Sequence, residues 1–99
     1  MSADFLDDLE ALLRQRKADP PEGSYSATLL TDPVAVQRKI MEEAFEVCLE
    51  LGADDVHPDR AAEEAADLVF HLMAGLVGAG VPWESVTDVL RNRRQGGER

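Results

Sequence analysis

The 99 residues of this chain suffice for one domain and leave no room for a second hydrophobic core. Its 20 acidic residues against 10 basic ones give a formal net charge of -10, which argues against binding to nucleic acid or to an anionic membrane surface. A membrane-spanning helix needs about 20 apolar residues, and no apolar run in the sequence is that long. A single cysteine excludes an internal disulfide, and the acidic N-terminus is unlike a secretory signal, so we expect a cytoplasmic location.

The first half of the chain predicts two helices separated by a loop. Apolar residues at helical spacing predict a first helix over Asp4–Lys17. Residues 18–30 are predicted to form a loop, because two prolines and Gly23 disfavour regular structure. Asp32 as the N-cap and Pro33 at the first helical position predict the start of a second helix.

The second half predicts two more helices. The second helix should end at Leu51, before a glycine, with Cys48 and Leu51 on its buried stripe. A third helix is predicted over Pro58–Ala79; it is apolar on most sides, which indicates that other helices surround it. Pro82 should open a short last helix.

These elements predict an all-α fold, a bundle of four helices around a long central antiparallel hairpin. Because a single chain of this size buries a small core, we expect a second copy to complete the bundle. Residues 1–94 should form the one domain, and residues 95–99 a flexible tail.

Acidic residues are concentrated on the two helices of the predicted hairpin. Glu43 and Glu46 lie three residues apart, as do Glu64 and Asp67, so that each pair shares one helix face. Measured from Asp55 in the turn, Glu46 and Glu64 are both nine residues away, and Glu43 and Asp67 are both twelve away. In an antiparallel hairpin the four carboxylates should therefore converge at matched heights.

These acids are either ordinary solvated faces or a metal site. Like charges four residues apart cost about 0.2–0.5 kcal/mol per pair, which disfavours the first interpretation. Carboxylate oxygens suit Mg2+, with Mn2+ as a substitute, far better than Zn2+. A metal that joins an acidic protein to an anionic substrate indicates phosphate chemistry.

The acidic motifs also carry a family resemblance. Their pattern resembles the signature of the MazG-like all-α nucleoside triphosphate pyrophosphohydrolases: Glu42-Glu43-x-x-Glu46 followed by Glu64-x-x-Asp67. Within that superfamily the chain is similar to the phosphoribosyl-ATP pyrophosphatases of histidine biosynthesis. The features that narrow the resemblance to this branch are Arg16-Lys17, the loop Pro21–Ser26, Lys39, the pair Phe70-His71 and the ending Val86–Arg93.

The resemblance implies a dimeric enzyme that uses Mg2+ to hydrolyse N1-(5-phosphoribosyl)-ATP to the AMP derivative and pyrophosphate. It implies that metal ligation and catalysis belong to Glu43, Glu46, Glu64 and Asp67. One turn before Glu43, Lys39 is the best candidate to stabilise charge on the leaving group. Further candidates for substrate contacts are Arg16, Lys17, Ser24, Tyr25, Arg38 and Arg93.

Two other functions stay open from the sequence. One is a house-cleaning (d)NTP pyrophosphatase of the same superfamily, and the other is a non-catalytic helical dimerisation module. Two side chains are equally open. Tyr25 either stacks on a base or ribose or packs the loop onto the bundle, and His71 is either a packed core residue or a partner of Asp67.

Overall fold

Five helices account for most of the chain. The computed structural model describes residues 2–96, with side chains from residue 5 onward. Its helices are α1 (Ser2–Ala18), α2 (Tyr25–Thr31), α3 (Pro33–Leu51), α4 (Pro58–Gly78) and α5 (Trp83–Gln95). No strand occurs within these residues. The predicted all-α class is confirmed, but the predicted number of four helices is wrong.

The additional helix, α2, lies inside the segment that was predicted to be a loop. Gly23 has a φ of 74°, a left-handed conformation that ends the proline-containing turn. The next residue, Ser24, caps α2: its Oγ accepts a hydrogen bond from the backbone N–H of Ala27 at 3.3 Å. Leu29 and Leu30 are then buried in the core. Burial of this short apolar segment therefore outweighs the loop signal of the prolines before it.

The central pair of helices begins as the sequence predicts. One carboxylate oxygen of Asp32 accepts hydrogen bonds from the backbone N–H groups of Val34 and Ala35 at 3.1 and 3.3 Å, and Pro33 occupies the first turn. The short turn 52–57 then connects α3 to α4.

The core lies where α1, α2 and α3 meet the C-terminal half of α4. Its buried apolar members are Leu13, Leu29, Leu30, Val36, Met73, Ala74 and Val77. The close approach of α4 to α2 and α3 depends on two glycines of α4. A Cβ atom built on Gly78 would lie 2.9 Å from the carbonyl oxygen of Leu30, and one on Gly75 would meet the side chains of Val36 and Ile40.

The start of α5 is fixed by a contact from the far end of the sequence. The backbone N–H of Trp83 donates a 2.7 Å hydrogen bond to a carboxylate oxygen of Glu10 in α1. This bond satisfies one of the free N–H groups at the N-terminus of α5, where a negative charge also suits the helix dipole. The helix continues through Gln95, one residue into the predicted tail, and residues 97–99 lie outside the described part of the chain.

Part of the predicted buried stripe of α3 is exposed. Cys48 and Leu51 were predicted to be buried, yet both are accessible in the single chain. On the same helix Met41, Phe45 and Leu49, here named the outer stripe, are 73%, 64% and 58% exposed. An amphipathic pattern shows that a face is apolar, but it does not show whether the same chain covers that face.

None of the five helices is by itself long and apolar enough to cross a membrane. The pair α4 and α5 reaches the required length and hydropathy only when the two helices are joined across a bend of 112°.

Candidate metal and phosphate site

Three carboxylates from α3 and α4 converge beside the core. Glu43, Glu64 and Asp67 can each offer one oxygen such that all three oxygens lie within 4.8 Å of one another. Glu43 is only 6% exposed, Glu64 is half-buried and Asp67 is exposed. The cluster therefore has a buried wall on the Glu43 side and an opening to solvent on the Asp67 side.

Two oxygens in this cluster lack the partners that buried polar atoms normally have. Oε2 of Glu43 and Oε2 of Glu64 are both inaccessible to solvent and form no hydrogen bond. A buried acceptor without a partner is costly, typically about 1–3 kcal/mol and more when it is charged. Without a cation, the two unpartnered oxygens destabilise the folded protein. A cation bound between them would remove this cost.

The proximity of these groups raises the pKa of two of them. Burial raises the pKa of the Glu43 carboxyl above its ordinary value, and the neighbouring carboxylates of Glu46 and then Asp67 raise it further, while the Lys39 ammonium opposes them. Burial likewise raises the pKa of Glu64, followed by the effects of Glu46, Glu43 and Asp67. These shifts express the same electrostatic cost: like charges are crowded where water is scarce.

Glu46 belongs to the same cluster although it is not one of the three converging acids. It is exposed on α3, and its carboxylate is the first neighbouring group, after burial itself, to raise the pKa of both Glu43 and Glu64. The structure thus brings together all four acids named from the sequence. Glu43 of α3 lies close to both Glu64 and Asp67 of α4, so the cluster spans the two helices.

The donor set fits a hard divalent cation. All of its atoms are carboxylate oxygens, the ligands that Mg2+ and Mn2+ prefer. Glu43, Glu64 and Asp67 each offer one carboxylate oxygen within 4.8 Å of the other two, and these residues would hold such an ion. The two unpartnered oxygens are the specific observation that a cation would satisfy.

Comparison of the sequence with known proteins gives a family for this chain. Residues 6–94 match the family described as phosphoribosyl-ATP pyrophosphohydrolase. The chain belongs to the phosphoribosyl-ATP pyrophosphohydrolase family. This confirms the resemblance that the acidic motifs indicated.

Individual relatives of this pyrophosphohydrolase family cover nearly the whole chain. A phosphoribosyl-ATP pyrophosphatase of Leptospira biflexa is 40% identical over 91 residues, which cover 91% of this chain and 97% of the relative. A histidine biosynthesis bifunctional protein of Parasynechococcus marenigrum is 37% identical over 93% of this chain. Another, of Schizosaccharomyces pombe, is 40% identical over 85% of this chain. The chain spans only 41% and 18% of these two bifunctional relatives.

Lys39 is the basic group beside the carboxylate cluster. Its Nζ lies 3.2 Å from Oε1 of Glu42 and 3.7 Å from Oε1 of Glu43. The hydrogen bond to Glu42 and the charge of that residue raise the pKa of Lys39, so that the ammonium stays protonated at neutral pH. No other basic side chain of residues 5–96 forms an ion pair with the four acids.

The predicted substrate residues near α2 hold the helices together. Nη1 of Arg16 donates a 2.9 Å hydrogen bond to Oγ of the buried Ser26, which is itself 3.1 Å from Oγ of Ser24. Lys17 donates to the carbonyl oxygens of Val77 and Gly78 at 3.3 and 2.9 Å, where it complements the C-terminus of α4. These contacts account for the positions of Arg16, Lys17 and Ser24, and their predicted substrate contacts stay predictions.

Two predicted cations have no such contact. Arg38 is exposed on α3, about 140° round the helix from Glu43. Arg93 is exposed near the end of α5. Within the described residues, neither side chain forms a hydrogen bond or an ion pair with a carboxylate of the cluster.

A link between Tyr25 and His71 was not predicted from the sequence. The Tyr25 hydroxyl lies 2.8 Å from Nε2 of His71, and Nδ1 of His71 lies 2.8 Å from the main-chain oxygen of Asp67. His71 is therefore a partner of the Asp67 backbone and not of its carboxylate. No local sequence pattern connects residues that are 46 positions apart. Because Tyr25 was predicted to lie in a loop, its side chain could not be assigned to a helix face that points to His71.

Proposed function

We propose that this chain is a Mg2+-dependent enzyme that hydrolyses N1-(5-phosphoribosyl)-ATP to N1-(5-phosphoribosyl)-AMP and pyrophosphate, the second step of histidine biosynthesis. The observation that carries the proposal is the convergence of Glu43, Glu64 and Asp67, with two buried oxygens that lack partners. Relatives named for this activity match over most of the chain. Mn2+ is a plausible substitute because it takes the same oxygen ligands.

The proposed metal ligands are Glu43, Glu46, Glu64 and Asp67. A bound Mg2+ would shield the charge of the substrate phosphates and lower the pKa of a water molecule. Because Asp67 and Glu46 lie on the open side, the phosphates would approach from solvent while Glu43 forms the buried wall. An acidic protein without such a cation would repel this substrate.

The proposed chemistry needs one base and one cation from the chain. Water attacks the α-phosphorus, and one of the four carboxylates takes the proton that the water loses. The bond between the α-phosphorus and the bridging oxygen breaks, and pyrophosphate departs. Lys39, at the rim of the cluster, stabilises the negative charge that develops on this leaving group.

Other basic residues would bind the substrate outside the reacting centre. Arg16 uses one nitrogen for Ser26, which leaves other donors of its guanidinium for phosphate. Arg38 and Arg93 are exposed and would assist only if the substrate or a second subunit approaches them. Lys17 is the weakest candidate, because its ammonium already binds two carbonyl oxygens.

The proposal includes a cytoplasmic homodimer. The outer stripe is a contiguous run of large apolar side chains on α3, with exposed Cys48 beside it. Exposed apolar patches of this kind usually mark interaction surfaces. Met41 and Phe45 each lie two residues from Glu43, about 200° round the helix, so this part of the stripe faces away from Glu43. Leu49 lies three residues from Glu46, so a second copy packed on the stripe would reach the rim of the cluster there.

Substrate assays test the proposed activity against its nearest rival. Purified protein should release pyrophosphate from phosphoribosyl-ATP far faster than from dCTP or dUTP. Preferential turnover of the deoxynucleotides would instead assign the chain to the house-cleaning pyrophosphatases of the superfamily. Product analysis by mass should find phosphoribosyl-AMP and pyrophosphate in equal amounts, since hydrolysis at the α-phosphorus yields one of each.

A further inference from the structure

Tyr25 and His71 connect the start of α2 to α4 directly beside the carboxylate cluster. Tyr25 is the first residue of α2, and its side chain is 55% exposed although its hydroxyl is hydrogen-bonded. His71 is only 6% exposed and lies one turn after Asp67. The two rings meet edge to face, with centroids 6.0 Å apart and planes at 80°. A buried side chain thus holds an exposed one at the edge of the site.

The direction of the two hydrogen bonds follows from the acceptor at one end. The main-chain oxygen of Asp67 can only accept, so Nδ1 of His71 must carry the proton of that 2.8 Å bond. In the tautomer that carries its only proton on Nδ1, Nε2 is an acceptor, and the Tyr25 hydroxyl donates to it. The proton of the phenol therefore points to His71, and the free lone pairs of its oxygen point away.

The His71 ring joins the phenol oxygen to the backbone of the cluster residue Asp67, through its 2.8 Å contact with Tyr25 at Nε2 and its 2.8 Å contact with Asp67 at Nδ1. Phe70 meets the His71 ring edge to face, at a centroid distance of 5.3 Å and an angle of 86°. The imidazole is held by Phe70 on one side and by the Asp67 backbone on another, so it cannot turn without losing these contacts.

We propose that His71 is a positioning residue, which fixes the Tyr25 hydroxyl beside the cluster so that its oxygen accepts a hydrogen bond from a ribose hydroxyl of the substrate. This inference rests on the proposed function, because it assigns one contact with the same substrate. A phosphate oxygen is an acceptor and cannot be bound by a phenol that has already donated its proton. The contact therefore concerns a donor group of the substrate and not the phosphates, and we assign it to the ribose because this sugar is bonded directly to the phosphates at the cluster.

Four variants separate this role from a structural one. Tyr25→Phe removes only the exposed hydroxyl. His71→Asn retains a donor at the position of Nδ1 but cannot reach Tyr25, whereas His71→Gln places an amide oxygen near the position of Nε2. The double variant Tyr25→Phe with His71→Asn completes the cycle. Asn is one methylene smaller than Gln and leaves more of the buried site unfilled, so the stability of each variant is measured beside its kinetics.

Steady-state kinetics with phosphoribosyl-ATP give the test. Tyr25→Phe should raise KM about 3- to 10-fold with kcat within about twofold, as expected for the loss of one hydrogen bond in substrate binding. His71→Asn should reproduce this rise, His71→Gln should largely restore the wild-type KM, and the double variant should be no worse than either single one. Thermal unfolding of each variant checks that the protein is folded.

Several outcomes would overturn the inference. A wild-type KM in Tyr25→Phe would do so even if the His71 variants failed to fold, because Tyr25 is exposed. Equal defects in His71→Gln and His71→Asn, or additive effects in the double variant, would make His71 a structural residue only. If the wild-type protein accepts dCTP but not phosphoribosyl-ATP, the proposed function fails, and the KM cycle with dCTP still decides the role of the Tyr25–His71 pair.

Discussion

The Nζ atom of Lys39 lies 3.7 Å from Oε1 of Glu43, whose other carboxylate oxygen is buried without a hydrogen-bond partner. Lys39 therefore offsets negative charge at Oε1 of this carboxylate, while Oε2 stays without a partner. The same ammonium also forms an ion pair with Glu42 at 3.2 Å, at the surface. The geometry suits a Lys39 ammonium that contacts the substrate and a Glu43 carboxylate that binds a metal.

Substitution of Lys39 tests the first of these roles. Lys39→Gln should lower kcat/KM for phosphoribosyl-ATP about 10- to 100-fold, because charge on the departing pyrophosphate loses a stabilising ammonium. The Mg2+-dependent rise in melting temperature should persist, since the four acids are intact. Arg91→Gln is the matched control: Arg91 is exposed and ion-paired to Asp88 on α5, and its loss should leave turnover within about twofold. Equal effects of the two variants would refute a specific role for Lys39.

The raised pKa values of Glu43 and Glu64 predict how the metal-free protein responds to pH. A carboxyl with a raised pKa in the folded state favours folding when it is protonated. For these two groups that contribution is complete below the ordinary value of 4.5 and is lost as the pH rises through the folded-state pKa. Melting temperatures without metal should fall over this window more steeply in the wild type than in a Glu43→Gln, Glu64→Gln variant.

Addition of Mg2+ should reverse that trend, because the ion binds the deprotonated carboxylates and competes with protons. The Mg2+-dependent rise in melting temperature should be small near pH 4.5, grow through the same window and then level off. In the double variant it should be absent at every pH. A rise of equal size at low and neutral pH, or one retained in the double variant, would place the ion elsewhere.

The two glycines of α4 predict losses of stability of different size on substitution by alanine. Gly78→Ala would put a Cβ atom 2.9 Å from the carbonyl oxygen of Leu30, and since backbone must move, unfolding in urea should show a loss of about 1–3 kcal/mol. At Gly75 the nearest atom is the flexible end of Ile40 at 3.3 Å. Gly75→Ala should therefore stay within about 1 kcal/mol of the wild type, because helix propensity offsets the contact. Equal stability of both variants would contradict the close approach of α2 and α4.

The outer stripe predicts the oligomeric state. Sedimentation velocity should find a dimer for the wild type and a monomer for Phe45→Ser, because an apolar anchor at the centre of the stripe is removed without a change in charge. Leu90→Ser, at an exposed apolar position of α5, should remain a dimer. A wild type that is monomeric at all concentrations, or an undiminished Phe45→Ser dimer, would exclude this interface.

The carboxylate cluster was predictable because it depends on local rules. Helix period and equal spacing about the turn predict that these acids converge, and one carboxylate oxygen each of Glu43, Glu64 and Asp67 lies within 4.8 Å of the others. Helix α2 was missed because its stability comes from the burial of Leu29 and Leu30. Its seven residues are too few to show a helical pattern in the sequence. Cys48 was wrongly predicted to be buried, because an apolar face covered by a partner and one covered by the same chain have the same pattern.

The dependence of pyrophosphate release on Mg2+ in a matched pair of variants, Glu64→Gln and Glu63→Gln, tests the metal site most directly. Each removes one negative charge from α4, but Glu64 belongs to the cluster and its neighbour Glu63 is exposed. We predict that the wild type and Glu63→Gln turn over phosphoribosyl-ATP only with Mg2+, and that Glu64→Gln is at least about 100-fold slower. Undiminished turnover by Glu64→Gln, or by the wild type in excess chelator, would contradict a shared cation between α3 and α4.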